Sequence, residues 1–571
     1  MCFKISDISS TFICPIEYTE TLTNIDNYII SDIQLTKINK IIFNPVSDID
    51  NYISDKMSEY YTSDIVYLKD TQKLLEMNDA LYPVKTNKII NDWSNLKNET
   101  SFYDKYLYLD MEMTKFLNRN EHFVQFMSMY NILSPILSLC LPIFILIVPF
   151  FVLMIRNIKI SIDEYLNIFK LIIRNHSIGK LFMDFGSVNM GQKIYILISF
   201  GLYLFSIYQN FVICRRFYTN FEYVHEFIFK LKEFIKNTVY SMEKYLEFNP
   251  NSMAYLKFNE CVIDNKDVLN QILNDLNKVN PFNITISKCG EIGHIMKSFY
   301  EIYDDEIYNK SILFAFGFTG YINNLHSIQS CLGKKLNMVT FSKSNKLKIK
   351  DMRYPAYLNI KSISNDIVLD RNIIVTGPNA SGKTTILKSI LINIILSQQY
   401  GCGYYKNMQL NPYDSLHCYL NIPDTMGRDS LFQAEARRCK NIIDEINKHV
   451  RKRHLCIFDE LYSGTNPDEA IYSAISFLRY LNKNPNVYFA LTTHYKQVPK
   501  YFMKHGNKTS SNHKMISDQN ENFKINHTYK INKGISNIKG GYSVLKELKY
   551  PKSILEFIKN DILIQKNKNL K

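Results

Sequence analysis

Gly377-Pro378-Asn379-Ala380-Ser381-Gly382-Lys383-Thr384 reads G-x-x-x-x-G-K-[ST], with Ile373-Ile374-Val375 ahead of it and Thr385-Ile386-Leu387-Lys388-Ser389-Ile390-Leu391 behind. The apolar run predicts a buried parallel strand feeding the loop. The spacing that follows predicts a helix with Ile386, Leu387, Ile390, Leu391, Ile394 and Ile395 on one face. Gly377 and Gly382 let the backbone turn successive N–H groups toward phosphates, and the helix N-terminus adds its positive end. Lys383 can reach the β- and γ-phosphates of a nucleotide, and Thr384 can place its hydroxyl on magnesium. With strand, loop and helix in this order, Gly377 through Thr385 read as a nucleotide site.

Two further apolar runs end in chemistry. His454-Leu455-Cys456-Ile457-Phe458 leads into Asp459-Glu460, and Val487-Tyr488-Phe489-Ala490-Leu491 leads into Thr492-Thr493-His494. Asp459 at a strand end is placed to order magnesium through water, and Glu460 to polarise an attacking water. His494 can sit beside the γ-phosphate and sense it. Open α/β sheets bind ligands at the C-terminal ends of their strands, where all three sets fall. Between them, Gly427-Arg428-Asp429-Ser430-Leu431-Phe432-Gln433-Ala434-Glu435 predicts a turn capped onto a helix by Asp429 or Ser430.

The rest of the 571 residues is of another kind. An apolar fraction of 46% excludes global disorder, and a net charge of +14 suits nucleic acid or an anionic membrane without choosing between them. Eleven cysteines without a C-x-x-C pair indicate neither a zinc site nor a disulfide framework, and point to a reducing compartment. The first ten residues lack the basic start and apolar stretch of a cleavable signal peptide.

Residues 1–100 read as a mixed region of helix and loop. From Ser101, Phe102, Tyr106, Leu109, Met113 and Phe116 predict one helix with a buried stripe. Ile132 to Ile155 then runs 24 residues without a charge. At 1.5 Å per residue that is roughly 36 Å, more than the ~30 Å of a bilayer core. Ile194 to Cys214 gives a second uncharged span of 21 residues, flanked by Lys193 and Arg215-Arg216. Length, absence of charge and basic flanks predict a membrane hairpin over 132–214 rather than two helices of a soluble core. Positive charge does not orient it: six Lys/Arg lie in the connection 156–193 and six in the 20-residue flanks outside the spans. The nucleotide pool does, placing the phosphate loop on the cytoplasmic side of a multi-pass membrane protein. Over 221–248 a heptad seam of Val224, Ile228, Leu231, Ile235, Thr238, Met242 and Tyr245 predicts a helix packed against another, with 102–117 as a candidate partner. From Leu336 to Asp370 the pattern shortens to strands. The division expected is 1–100, a helical region with the hairpin over 101–335, the α/β phosphate-loop domain over 336–548, and a C-terminal helix and basic tail over 549–571.

The stretch from about 350 to 560 resembles the ATPase domain of the MutS family of DNA mismatch repair proteins, in the ABC class. Asn365-Asp366-Ile367-Val368-Leu369 resembles N-D-I-x-L, and Thr376-Gly377-Pro378-Asn379 resembles T-G-P-N. Ser430-Leu431-Phe432-Gln433-Ala434-Glu435 resembles the S-T-F-x-x-E signature, and Asp459-Glu460-Leu461 with Gly464-Thr465 resembles D-E-x-x-x-G-T. Thr493-His494-Tyr495 is similar to T-H-Y, while Tyr529 to Gly534 and Gly541 to Val544 fall where the family has two later elements. Upstream, Ile322 to Ile328 and Arg353-Tyr354-Pro355 are similar to L-D-x-L-x-S-L and R-H-P.

The resemblance implies ATP with magnesium as cofactors and a homodimer of ATPase domains. Ser430 of one copy would then cap the nucleotide on the other, and duplex DNA is an implied partner. Leu431 departs from the signature threonine, and Tyr404-Tyr405-Lys406 from the family's V-P-A. Details at Gln398–Gly403 and Asp459–Pro467 look like the divergent MutS-like proteins of large DNA viruses, which would put the membrane in a virus or an infected host. The family's mispair wedge is F-x-E near the N-terminus. Phe299-Tyr300-Glu301 has those letters, but lies in a helical stretch just ahead of the ATPase lead-in and reads as coincidence.

Overall fold

A computed structural model describes residues 3–156, 161–175, 189–281, 290–357, 362–370, 372–420, 431–505, 510–519, 525–538 and 540–558. These residues form two compact units. One is built on Lys85–Val239 and Asn265–Leu313, and the other on Ile5–Val84, Tyr240–Asp264 and the chain from Phe314 onward.

The second unit contains a six-stranded sheet of β1 (Asn372–Thr376), β2 (Ser415–Tyr419), β3 (His454–Asp459), β4 (Val487–Thr493), β5 (Ser510–Gln519) and β6 (Ile525–Lys533), in the order β6-β5-β1-β4-β3-β2. All neighbours run parallel except the edge pair β5–β6. Strands such as Ile373-Ile374-Val375 are apolar without alternation because both faces are covered. On one face α1 (Lys383–Tyr400) packs against β3 and β4. On the other, Cys439, Ile442 and Ile446 of α2 (Leu431–Lys448) and Ala474, Leu478 and Leu481 of α3 (Pro467–Leu481) close over Cys456, Phe458 and Phe489.

The one-sided helix expected after the phosphate loop is enclosed on all sides, since Asn393, Ser397, Gln398 and Gln399 are buried as well as the apolar residues. The strand-like pieces expected from Leu336 to Asp370 are present as Asn337–Phe341, Leu347–Met352 and Asn365–Leu369. With Cys402–Gly403 and Asn407–Leu410 they make a separate five-stranded sheet.

The N-terminal stretch belongs to this unit. Gln398 Nε2 of α1 donates to Thr62 O (3.0 Å), and Gln399 Nε2 donates to Met57 O and Tyr60 O (3.0 and 2.7 Å). Tyr61 O–H donates to Asp414 O at 3.2 Å and its oxygen accepts from Leu416 N–H at 3.0 Å, beside β2. Such buried amides must find partners, and here the two stretches supply them to one another.

In the first unit the helix expected over 102–117 is not formed. A helix covers only Phe102–Tyr106, and Leu107 turns into the left-handed region at φ 61°. Tyr108 then points inward and donates to Met296 O at 2.6 Å. The Asn118 side chain takes both backbone groups of Leu109, at 3.0 and 2.8 Å, which a continuing helix would have used. Met113 and Phe116 are left exposed. Phe102, Tyr106 and Phe227 instead surround Phe299, which is wholly buried in the helix Ile292–Asp304.

Both uncharged runs are helical, within Glu121–Ile155 and Met190–Leu246. By length and composition Glu121–Cys140 and Met190–Leu246 are each apolar enough to cross a membrane, and in their most apolar windows 17% and 6% of residues are buried. The seam from Val224 to Tyr245 is buried as expected, but its partner cannot be a helix over 102–117.

Candidate nucleotide site

β1 delivers Thr376 to the sheet's C-terminal edge, opposite Thr493 of β4, and Asp459 of β3 lies opposite Thr492. The parallel register thus aligns the three chemically loaded strand ends without any side-chain contact being needed.

At the loop, Gly382 has φ 93° and caps α1, and Ala380 is also left-handed at 61°. Gly377 is required by space: a Cβ there would lie 2.8 Å from Ser381 Oγ and 2.9 Å from Met515 Cβ. Ser381 Oγ donates to Pro378 O at 2.7 Å and closes the loop on itself. Lys383 is buried, with its ammonium donating to Gly377 O and Pro378 O (3.2 and 3.3 Å) and lying 3.4 Å from Glu460 Oε1. Thr384 O–H donates to Asp459 Oδ2 at 2.6 Å, and Thr492 O–H donates to the other oxygen of the same carboxylate.

The acidic pair is divided by environment. Burial pushes the Asp459 carboxyl up, against the hydrogen bonds from Thr384 and Thr492. Glu460 is held down, first by His494, whose Nδ1 is 3.5 Å from Oε1; Lys383 adds to the effect and burial opposes it. Glu460 sits at φ 51°, an uncommon place for glutamate. That turn, fixed by its N–H donating to Thr492 O at 3.0 Å, brings the carboxylate beside Lys383 and His494.

Thr384 and Asp459 suit magnesium. They are hard oxygen groups within one hydrogen bond of each other, next to a phosphate cradle, and magnesium is usually bound by one or two carboxylates plus substrate phosphates.

A cleft of about 700 Å³ is lined by Asn379, Ala380, Gly382, Lys383, Thr384 and Thr385, with Asp459 and Glu460. Met352, Tyr354, Ile363 and Tyr529 form its apolar remainder. A second cleft of about 870 Å³ borders the same loop at Gly377, Pro378 and Asn379, and reaches Glu460 and His494. The nine consecutive residues Gly377–Thr385, Asp459, Glu460 and His494 are therefore gathered at one place. Ser430 and the turn Gly427–Ser430 lie outside the described residues. The helix expected after them begins at Leu431, whose side chain occupies the space a Cβ on Gly464 would need.

Residues 373–564 match the family model of MutS domain V. That is an ABC-type ATPase domain. The chain is 27% identical over 226 residues to the DNA mismatch repair protein MutS of Listeria monocytogenes, covering 38% of this chain and 25% of that protein. It is 34% identical over 160 residues to Endonuclease MutS2 of Borreliella burgdorferi, covering 28% and 20%. Endonuclease MutS2 of Enterococcus faecalis is 27% identical over 233 residues, covering 40% and 29%. The chain thus spans between a fifth and under a third of these relatives' lengths.

Sequence reasoning missed two positions in the MutS domain V region. Glu435, buried on α2, accepts from Ser463 N–H and O–H (3.1 and 2.9 Å) and from Gly464 N–H (3.2 Å), and so holds the turn that follows the acidic pair. Its signal was the fixed glutamate of the signature, read as motif rather than as a group with a task. Tyr529 enters the cleft wall from β6 with φ 58°, beside Gly382. Its signal was the family element Tyr529 to Gly534, read as motif without a place at the cleft.

Proposed function

We propose that the chain is a MutS-family ATPase that binds and hydrolyses ATP, pairs as a homodimer through its ATPase units, binds duplex DNA in the manner of mismatch repair, and is tethered to a membrane. The observation carrying this reading is the convergence of Lys383, Thr384, Asp459, Glu460 and His494 around one phosphate loop inside a MutS domain V match.

Lys383 now satisfies its charge on two loop carbonyls and Glu460. Nucleotide phosphates would take that ammonium, freeing Glu460 to hold a water against the γ-phosphate. Glu460, kept ionised by His494 and Lys383, is suited to accept that water's proton. His494 shares the contact and can report the γ-phosphate to Tyr495 and the segment beyond. Magnesium, held by Thr384 and Asp459, would neutralise charge on the β- and γ-phosphates. Ser430 of a second copy would cap the nucleotide, as the family resemblance implies.

Glu460→Gln should keep ATP binding and lower turnover by about 100-fold or more, the size expected for losing a general base. Lys383→Ala should weaken binding itself. Mixing Ser430→Ala with Lys383→Ala subunits should restore one working site per dimer. Wild-type turnover in Glu460→Gln would overturn the assignment.

The tether is proposed on three supports: the two uncharged spans, their outward apolar surface, and the way their polar groups pair. Asn210 donates to Ser138 Oγ, and Tyr203 O–H donates to Ser138 O at 3.2 Å, so the two helices satisfy each other. Polar groups in bilayer helices commonly face a partner helix in this way. These spans also favour a second reading, in which the ATPase acts on a protein or membrane partner without reading mispairs. Phe299 is wholly buried, as are Phe258 and Phe458, which also open an F-x-E triplet. Salt-dependent binding to duplex DNA with and without a mispair separates the readings. The membrane would be that of a virus or of an infected host, ATPase on the cytoplasmic side, if the resemblance to viral MutS-like proteins extends to source.

A further inference from the structure

Between the two spans lies a third helix, Ile162–Asn175. Its start is specified locally: Ser161 Oγ accepts from Glu164 N–H at 3.2 Å, and the Glu164 carboxylate accepts from Ser161 N–H at 3.0 Å. That reciprocal pair is a capping box. Asp163 and Glu164 in the first turn and Arg174 in the last complement the helix dipole.

At 100° per residue, Tyr165, Leu166, Phe169 and Ile173 share one side, and Asp163, Asn167, Lys170 and Arg174 share the opposite one. Leu171, at the margin of the polar side, and Ile168, between the two sides, are exceptions, both exposed. The rings of Tyr165 and Phe169 lie side by side, 6.1 Å apart. Leu166 is 46% exposed, and Tyr165, Phe169 and Ile173 are only partly covered. Fourteen residues extend about 21 Å, too short for a ~30 Å bilayer core.

We infer that Ile162–Asn175 is an interfacial helix that lies flat on a lipid bilayer, with Tyr165, Leu166, Phe169 and Ile173 turned into it. The inference rests on the membrane-hairpin reading, which fixes the occupant. A segment joining the ends of two spans is held at the bilayer surface, on the face opposite the one the spans enter from. Two acids and two bases cancel, so the attraction is apolar and zwitterionic lipid suffices.

The chain has one tryptophan, Trp93, so an added one can be read by difference from the parent protein. The full-length chain is reconstituted in phosphatidylcholine vesicles as Leu166→Trp, Phe169→Trp, Asn167→Trp and Ile198→Trp. Lipids brominated near the glycerol or near the methyl end then quench by depth. An interfacial helix buries its apolar face roughly 5–10 Å deep. The emission added at 166 and 169 should therefore fall most with shallow bromine, and that at 167 should not fall. Emission at 198, inside the second span, should fall with bromine deeper in the bilayer. Quenching at 198 without quenching at 166 and 169 would overturn the surface helix and leave the hairpin standing. Stronger deep than shallow quenching at 166 and 169 would also overturn it. No quenching at 198 would remove the hairpin, and the inference with it.

Discussion

The helix Lys383–Tyr400 and the stretch Ile194–Cys214 are both rich in Ile and Leu and nearly free of charge beyond their first turns, yet they meet opposite surroundings. In the first, Ile390, Leu391, Ile394 and Ile395 are fully enclosed, and Asn393, Ser397, Gln398 and the Gln399 Nε2 group find partners within their own unit. Asn393 alone binds Arg353 O and Ser389 O through Nδ2 and accepts from Tyr404 N–H. In the second, Leu202 and Phe205 are 64% and 56% exposed, and Asn210 donates to Ser138 of the neighbouring span. Apolar content says that a run must leave water. The polar groups differ in their destination: the chain's own core in one case, and in the other a neighbouring helix beside apolar faces that stay exposed.

The largest effect expected from this contrast is on stability. Phe299→Ala removes a ring wholly buried among other aromatics and should cost roughly 3–5 kcal/mol in denaturant unfolding. Phe205→Ala, on the exposed face of the second span, should cost almost nothing in detergent. Any preference for mispaired over paired duplex should be the same in Phe299→Ala as in the parent. A large loss for Phe205→Ala would mean that the span is covered by protein after all.

Next comes Glu435. Its replacement by Ala leaves Ser463 and Gly464 N–H groups without their acceptor, a loss of about 1–3 kcal/mol. Because these residues lie within one turn of Asp459-Glu460, turnover should fall while ATP affinity holds. Equal loss of both would make Glu435 a general stability residue.

How much of this was legible in the sequence differs between the regions for a physical reason. The cleft was readable because each part is local: strand, loop and helix dictate the phosphate cradle, and each strand brings its own terminal acid or histidine. What escaped depends on contacts far apart in the chain. Gln398 and Gln399 donate to Thr62, Met57 and Tyr60, so the phosphate-loop unit extends to the N-terminal stretch that composition alone set apart. The expected helix over 102–117 failed because Asn118 and Tyr108 outcompete the local pattern with side-chain bonds that periodicity does not register. Ser430 is legible only as a motif residue.

A smaller, pH-dependent effect should appear in the phosphate-loop unit alone. His454 Nε2 donates to His449 O at 2.9 Å, so its Nδ1 accepts from His417 Nε2–H at 3.1 Å, and both rings are neutral. Burial, then the facing His454 and Arg438, push His417 down to about 3, and burial also lowers His454. A histidine depressed in the folded state contributes nothing adverse above its ordinary value near 6.5. As pH falls below that value the unfolded chain takes the proton first, and stability drops by about 1.4 kcal/mol per pH unit for each ring at most. Thermal unfolding between about pH 6.5 and 4 should show this slope, and His417→Gln should flatten it.

The smallest effect tests the other side of the contrast. Asn210 and Ser138 pair across the two spans, where water could not otherwise satisfy them if a bilayer surrounds the helices. Such a pair would be expected to be worth a great deal, yet interhelical hydrogen bonds in bilayers average only about 0.6 kcal/mol, because the separated helices find other partners. A double-mutant cycle of Asn210→Leu and Ser138→Ala in detergent or bilayer should therefore give a coupling near that value. Asn210→Leu should leave ATP turnover unchanged, since the pair belongs to the helices and not to the cleft. A coupling several times larger, with loss of folding, would say that these helices depend on each other as a soluble core does. The outward faces of Leu202 and Phe205 would then need a protein partner rather than lipid.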